Sequence, residues 1–122
     1  MNTILWLLQI LAALAFLYSG VCKLLLSEKR LVAKGQTGVE GLRPVFIKFI
    51  GISEIAGVIA LIAPMCLNIS VWLTPLSALC LAFIMPFAAI IHYKRKEAQN
   101  VLTNVLLFAI CIFIAYGRTY IK

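Results

Sequence analysis

The chain has 122 residues, of which 64% belong to the apolar set and 12% are charged, with a formal net charge of +7. So few charged side chains cannot cover the surface of a water-soluble domain. The composition therefore excludes a water-soluble protein. It predicts an all-α integral membrane protein, because a spanning helix needs about 20 apolar residues and satisfies its own backbone hydrogen bonds.

Hydropathy divides the chain into four predicted spans that form a single transmembrane four-helix bundle. The spans cover about residues 3–26, 45–64, 71–91 and 101–117. The charged segment 27–44 is the sizeable loop. No Lys or Arg precedes the first apolar run, so a retained span is favoured over a cleaved signal peptide. Pro64 is expected to end the second helix, and Pro75 and Pro86 to kink the third.

Basic residues are concentrated beside the first and third connections, which share one side of a four-span protein. Nine basic residues lie there: Lys23, Lys29, Arg30, Lys34, Arg43, Lys48, Lys94, Arg95 and Lys96. The other two, Arg118 and Lys122, lie at the C-terminal end. The positive-inside rule predicts cytoplasmic basic loops and both termini outside. Trp6, Trp72 and Tyr116 would then form an outer aromatic belt. No basic groove with interleaved aromatic residues can be assembled, so we expect the lipid bilayer, and not nucleic acid, as the surrounding partner.

The four cysteines, at positions 22, 66, 80 and 111, include no C-x-x-C pair. Neither a redox dithiol nor a zinc site is indicated, and we expect no metal. Cys66 and Cys111 could form a bridge in an oxidising compartment, but small apolar filling of the helices is the commoner role of free cysteine.

The few polar residues within the spans recur at helical spacing, so each helix has one face suited to the bundle interior. In the first span this face consists of Gln9, Ala13, Phe16, Gly20 and Lys23. In the third span it consists of Thr74, Ala78, Met85, Ala89 and His92, and in the fourth of Asn100, Asn104 and Cys111.

Glu54 is the most informative residue of the second span. It lies about 14 Å of helical rise from the predicted cytoplasmic end, too deep for a short carboxylate to reach water, so it must face inward. Ser53 and Gly57 are four apart, as are Ala56 and Ala60, and such small residues allow close helix packing. We expect Gly20, Ser53, Gly57 and Ala60 to be helix-packing residues.

Lys23 and His92, near the cytoplasmic ends of their helices, are the candidate partners of Glu54. Asn104 could complete a hydrogen-bonded set, and Gln9 belongs to the same group of candidates. One interpretation is structural: these groups tie the helices together. The other is functional: Glu54 binds a proton or a ligand. The sequence favours neither, and His92 lacks a second ligand at metal-binding spacing.

Two motifs and the four-span plan resemble the DoxX family of small membrane proteins. The motifs are SGVCKL at 19–24 and EIAG at 54–57, the latter followed by Pro64. Val58 stands where many relatives have a second glycine.

The resemblance implies an accessory or scaffolding subunit in a bacterial cytoplasmic membrane. Its members include a subunit of a thiosulfate:quinone oxidoreductase, components of oxidative-stress complexes and, more distantly, receptor-assembly chaperones. It therefore implies other membrane proteins or a second copy as partners, and Lys23 and Glu54 as the site. The cofactor stays unknown, with quinone a candidate from the resemblance alone.

Two other functions remain as alternatives. One is a small proton-coupled multidrug transporter that uses Glu54, although such transporters carry their carboxylate in the first span. The other is a thiol–quinone oxidoreductase, which the absence of C-x-x-C disfavours. Whether the protein is an enzyme stays open.

Overall fold

The structure is a computed structural model that describes residues 1–34 and 40–121. All the regular structure in these residues is helical. The helices are α1 (Asn2–Leu25), α2 (Glu28–Ala33), α3 (Pro44–Leu67), α4 (Leu73–Lys94) and α5 (Ala98–Tyr120). Four of them, all except α2, are long and apolar enough to cross a membrane. The predicted all-α, four-span membrane fold is therefore confirmed.

The four long helices form a closed ring in which α1 packs on α3 and α5, and α4 packs on the same two neighbours. Neighbours run antiparallel, because successive long helices cross the bundle in alternating directions; contacts such as Gln9 with Leu61 and Arg118 with Asn2 pair the start of one helix with the end of its neighbour. One end of the bundle, the loop end, carries α2 and the α4–α5 turn. The other, the terminal end, carries the start of α1, the end of α5 and the α3–α4 turn.

Apolar side chains fill the space between the helices. The buried cluster consists of Ala12, Ala13, Phe16, Leu61, Ala78, Leu81, Ala82, Met85, Cys111, Ile114 and Ala115. Many Leu, Ile and Phe side chains point outward, among them Leu7, Ile59 and Phe83, each at least 60% exposed. Outward apolar side chains suit lipid contact, and most members of the predicted inner faces lie inside.

The expectation that Pro64 ends the second helix is wrong, since α3 continues to Leu67 and ends at Asn68 in the left-handed conformation (φ 54°). Proline removes only its own N–H, which leaves the carbonyl of Ala60 without its helical donor. The Thr74 hydroxyl lies 3.5 Å from that oxygen and 3.3 Å from the Leu61 oxygen. A side chain of α4 thus compensates for the proline, and α3 stays continuous.

The prolines of α4 do not interrupt it either. Pro75 lies in the first turn, where a missing N–H costs no helical hydrogen bond, and the helix continues through Pro86 to Lys94. The helix bounds differ from the predicted spans by at most three residues.

The predicted loop 27–44 contains the short helix α2. Ser27 caps it, because its hydroxyl accepts a hydrogen bond from the Arg30 backbone N–H. Leu31 is fully buried against Ile47 of α3. This contact fixes α2 to the loop end of the bundle. Residues 35–39 of the predicted loop lie outside the described residues.

Candidate functional site

An ion pair between Lys23 and Glu54 links α1 to α3. The Lys23 Nζ lies 2.5 Å from Glu54 Oε1, and the two side chains are only 13% and 7% exposed. The ammonium also donates to the Ser19 hydroxyl one turn earlier, at 2.8 Å. Each charge therefore has a counter-charge within the bundle, which offsets part of the cost of removing it from water.

Close helix packing beside this pair depends on two glycines, Gly20 on α1 and Gly51 on α3. A Cβ atom built on either would lie within 3 Å of the other residue's carbonyl oxygen. Because neither carries a side chain, the two backbones touch directly. The helices are thus close enough for Lys23 to reach Glu54.

The other predicted packing residues behave differently from one another. Gly57 faces α4, where Leu81 packs against it and the Ser77 hydroxyl donates to its carbonyl at 2.7 Å. Ala60 is partly buried, and its carbonyl oxygen lies near the Thr74 hydroxyl of α4. The prediction for Ser53 is wrong: it is exposed, and its hydroxyl donates to Phe49 O within α3 at 2.9 Å.

Asn104 does not complete a hydrogen-bonded set with the ion pair. Its Nδ2 atom and Glu54 Oε2 are both buried, and neither has a hydrogen-bond partner among the described residues. The Glu54 carboxylate therefore retains one acceptor oxygen that no donor of the described residues uses.

His92 is not a partner of Glu54, so that prediction is wrong. Its Nδ1 atom lies 2.8 Å from Oε1 of Glu97. The α4–α5 turn spans only residues 95–97 and brings Glu97 back against the end of α4. Arg95 of the same turn extends this network to Glu40, with Nη1 3.1 Å from Oε1.

Gln9 belongs to a second cluster, at the terminal end, and not to the Glu54 site as predicted. It is fully buried, and its Oε1 accepts a hydrogen bond from Arg118 Nε at 2.5 Å. Its Nε2 donates to Leu61 O at 3.0 Å. One amide therefore joins α1, α3 and α5.

Arg118 was not predicted as a site residue, because its position placed it beyond the last predicted span, 101–117. The side chain is 1% exposed. Its Nη1 donates to Asn2 Oδ1 at 2.6 Å and to Ile121 O at 3.2 Å. The guanidinium carbon lies 5.3 Å from the centre of the Trp6 ring, within cation–π range. One feature of the sequence did indicate a second cluster. Gln9 precedes Lys23 by about 21 Å of helical rise, so it lies too far from Glu54 to contact it and needs partners at the other end of the bundle.

Two concave surfaces lie on the bundle. A groove of about 410 Å³ lies between α3 and α4 near the terminal end, lined by residues that include Ala56, Ala60 and Ala63. A smaller cavity of about 220 Å³ lies at the loop end, where Lys23 and Lys48 contribute to its wall.

The cysteines show no sign of a redox pair. All four are free, with Cys66 and Cys80 exposed and Cys111 buried, so the Cys66–Cys111 bridge is not formed. In the part of the chain that the structure describes, no group of His, Cys, Asp or Glu side chains could hold a metal ion.

These features define a multi-pass helical membrane protein with two buried polar clusters that link its helices. The chain matches the DoxX-like family over residues 7–114 and belongs to that family. No curated protein and no solved structure matched the chain.

Proposed function

We propose that this protein is an accessory or scaffolding subunit of a membrane complex and that a transmembrane helix of its partner docks in the groove between α3 and α4. The groove is the single observation that carries the proposal. A four-helix bundle can bury its own apolar faces and expose only a convex surface to lipid, whereas this one leaves a concave surface of about 410 Å³.

The lining of the groove suits a helix. Ala56, Ala60 and Ala63 follow one another at spacings of four and three on α3, so they share one face. Small side chains on such a face let a second helix approach closely, which is how transmembrane helices gain packing energy where no hydrophobic effect drives them together. Ile59 and Leu73 add larger apolar surfaces to the same groove.

The interior of the bundle supports the structural interpretation of the polar residues. Lys23 is paired with Glu54, and Gln9 bonds across three helices. Groups used in this way hold the helices in register and thereby fix the shape of the groove. A scaffolding subunit needs such a fixed docking surface.

We further propose that the partner uses quinone, and this step rests on the family resemblance alone. The bound partner is then a quinone-dependent membrane enzyme, and the protein supplies a docking surface near it. The other candidate occupant of the groove is a second copy of this chain, which partner purification distinguishes from a quinone-dependent enzyme.

Affinity purification of the full chain in mild detergent tests the proposal. We expect a stoichiometric partner by mass spectrometry, with quinone in the lipid extract. Ala56→Leu, which fills the groove, should reduce the recovered partner at least about fivefold, since overpacking a tight interface costs about 1 kcal/mol or more. Ala109→Leu makes the same change at an exposed position of α5 and should retain the partner.

Purification of the wild-type protein alone, without partner or quinone, would contradict the proposal. Equal partner recovery from the Ala56 and Ala109 variants would contradict the groove as the docking surface. Recovery of only a second copy would replace the partner enzyme with a homo-oligomer.

A proton-coupled multidrug transporter is the second candidate, and the observation that favours it is the buried Glu54 Oε2, which has no hydrogen-bond partner in the part of the chain that the structure describes. An unoccupied, buried carboxylate oxygen could accept a proton or a cationic substrate. The ion pair with Lys23 opposes this function because it already neutralises the carboxylate. Proton-driven uptake of a lipophilic cation into proteoliposomes, lost in Glu54→Gln, would establish the transporter; no uptake would leave the scaffolding proposal.

A further inference from the structure

Arg118 is a buried positive charge that has no acidic side chain beside it among the described residues. The chain has four acidic side chains in all. Each of them contacts a group at another place: Glu28 the Gly41 N–H, Glu40 Arg95, Glu54 Lys23, and Glu97 His92. No acidic side chain of the protein is therefore left to neutralise Arg118.

The neighbours that the structure describes around Arg118 are neutral. The guanidinium is surrounded by the amide oxygens of Gln9 and Asn2, the backbone oxygen of Ile121 and the face of the Trp6 ring. These groups solvate the charge but do not cancel it, and an uncancelled charge near hydrocarbon is costly. An anion at this position would be attracted to the guanidinium more strongly than in bulk water, because the surroundings have a lower dielectric constant.

The hydrogen-bond count shows where the anion would bind. A guanidinium has five N–H donors, one on Nε and two on each Nη atom. Nε uses its donor on Gln9, and Nη1 uses both of its donors on Asn2 and Ile121. Nη2 is buried and has no partner among the described residues. The edge formed by Nη1 and Nη2 is the fork that matches two oxygens of a phosphate.

We propose that Arg118, with Gln9, Asn2 and Trp6, forms a binding site for the phosphate group of an anionic phospholipid at the terminal end of the bundle. The inference goes beyond the scaffolding function and does not depend on it. Gln9 positions the guanidinium, and the fork of Arg118 takes the phosphate.

Asn2 is the entry point. Nη2 is covered in this structure, while Asn2 is exposed and lies in the first turn of α1. The phosphate displaces the Asn2 amide oxygen from Nη1 and then bonds to both Nη atoms. A charged acceptor replaces a neutral one in this exchange, so the attraction between opposite charges and the bidentate geometry are added to the hydrogen bonds of the guanidinium.

The location favours a lipid headgroup as the source of the phosphate. Arg118 lies two residues before the end of α5, about 3 Å of helical rise, at the depth where a spanning helix meets the headgroups. Trp6 lies beside it, and Tyr116 and Tyr120 form an exposed ring pair with centroids 5.1 Å apart on the same helix end. Tryptophan and tyrosine are enriched at the membrane–water interface.

Native mass spectrometry of the full chain in detergent tests the site by titration with phosphatidylglycerol or phosphatidylcholine. We expect the wild type to prefer phosphatidylglycerol, and Arg118→Gln to reduce that preference about tenfold, the loss expected for a charge-assisted hydrogen bond. Lys94→Gln removes one charge from an exposed residue at the loop end and should keep the preference. Equal losses in the two variants would show non-specific charge attraction and overturn the proposal.

Asn2→Ala keeps the test decisive if the Arg118 variant fails to fold. It removes the neutral oxygen that competes for Nη1, so the preference for phosphatidylglycerol should rise about threefold, equivalent to one weak hydrogen bond. An unchanged or weakened preference would overturn the proposal. Inorganic phosphate at the concentration of the lipid should not displace phosphatidylglycerol; complete displacement would show a site for free anions and overturn the lipid assignment.

Discussion

Gly20 of α1 and Gly51 of α3 lie in direct backbone contact: a Cβ on Gly20 would be 2.9 Å from the Gly51 oxygen, and one on Gly51 would be 2.8 Å from the Gly20 oxygen. Lys23 follows Gly20 by one turn, and Glu54 follows Gly51 by one turn. The contact therefore sets the distance across which the ion pair forms, and packing and charge are coupled at this crossing.

Alanine at either glycine of this crossing should destabilise the bundle. The added methyl meets backbone atoms, which cannot move without separating α1 from α3, so we expect a loss of about 1–3 kcal/mol in the free energy of unfolding. Far-UV circular dichroism during thermal or SDS denaturation in detergent would measure it. Gly57→Ala is the control, because its methyl would meet the flexible Leu81 side chain at 3.0 Å. An equal loss in the control would show that any added methyl is harmful.

The Lys23–Glu54 pair should show strong non-additivity. Lys23→Met leaves a buried carboxylate without its counter-charge, and we expect a loss of about 3 kcal/mol or more. The double variant Lys23→Met/Glu54→Met removes both charges and should be more stable than either single variant, with a coupling energy of about 1–3 kcal/mol. The same denaturation assay completes the cycle, and additive losses would show that the two residues act independently.

The Thr74 hydroxyl should contribute to the stability of the bundle because Pro64 leaves the Ala60 carbonyl without its helical donor. Thr74→Val should cost about 1 kcal/mol, the net value of one hydrogen bond, since it removes a donor near the Ala60 and Leu61 oxygens. In a Pro64→Ala background the helix regains its own N–H donor to Ala60, so the same change should cost less than half as much. An equal cost in both backgrounds would mean that Thr74 does not compensate for the proline.

The charge distribution predicts a cytoplasmic loop end, and cysteine labelling in cells would test this. In a variant without native cysteines, Ile69→Cys in the α3–α4 turn should react with a membrane-impermeant maleimide, and Lys34→Cys after α2 should react only after the cells are permeabilised. The reverse pattern would place the termini in the cytoplasm.

Local patterns in the sequence were sufficient to predict the fold and the Lys23–Glu54 ion pair, but not the other members proposed for that cluster. Apolar runs and the 3.6-residue period predicted four helices and their inner faces, because both depend only on residues of the same helix. The depth of Glu54 and the position of Lys23 led to the observed ion pair for the same reason. Each residue's height in the membrane can be counted from the end of its helix.

The incorrect predictions involved contacts between helices that local patterns do not specify. His92 pairs with Glu97 because a three-residue turn folds back on α4. Arg118 was treated as a loop charge because Gly117 was expected to end the last span, whereas α5 continues to Tyr120. Burial of this arginine depends on amide partners from the start of α1, which are more than 100 residues away in sequence.

Partner recovery from the wild type and two variants tests the central claim most directly: the buried ion pair is structural, and the α3–α4 groove is the docking surface. Tagged wild type, Lys23→Met/Glu54→Met and Ala56→Leu would be purified in parallel from mild detergent, and partner proteins quantified by mass spectrometry. We predict that the charge-free double variant retains the partner and that Ala56→Leu loses it. Loss of the partner from a folded double variant, with full retention by Ala56→Leu, would contradict the claim and place the function at Glu54.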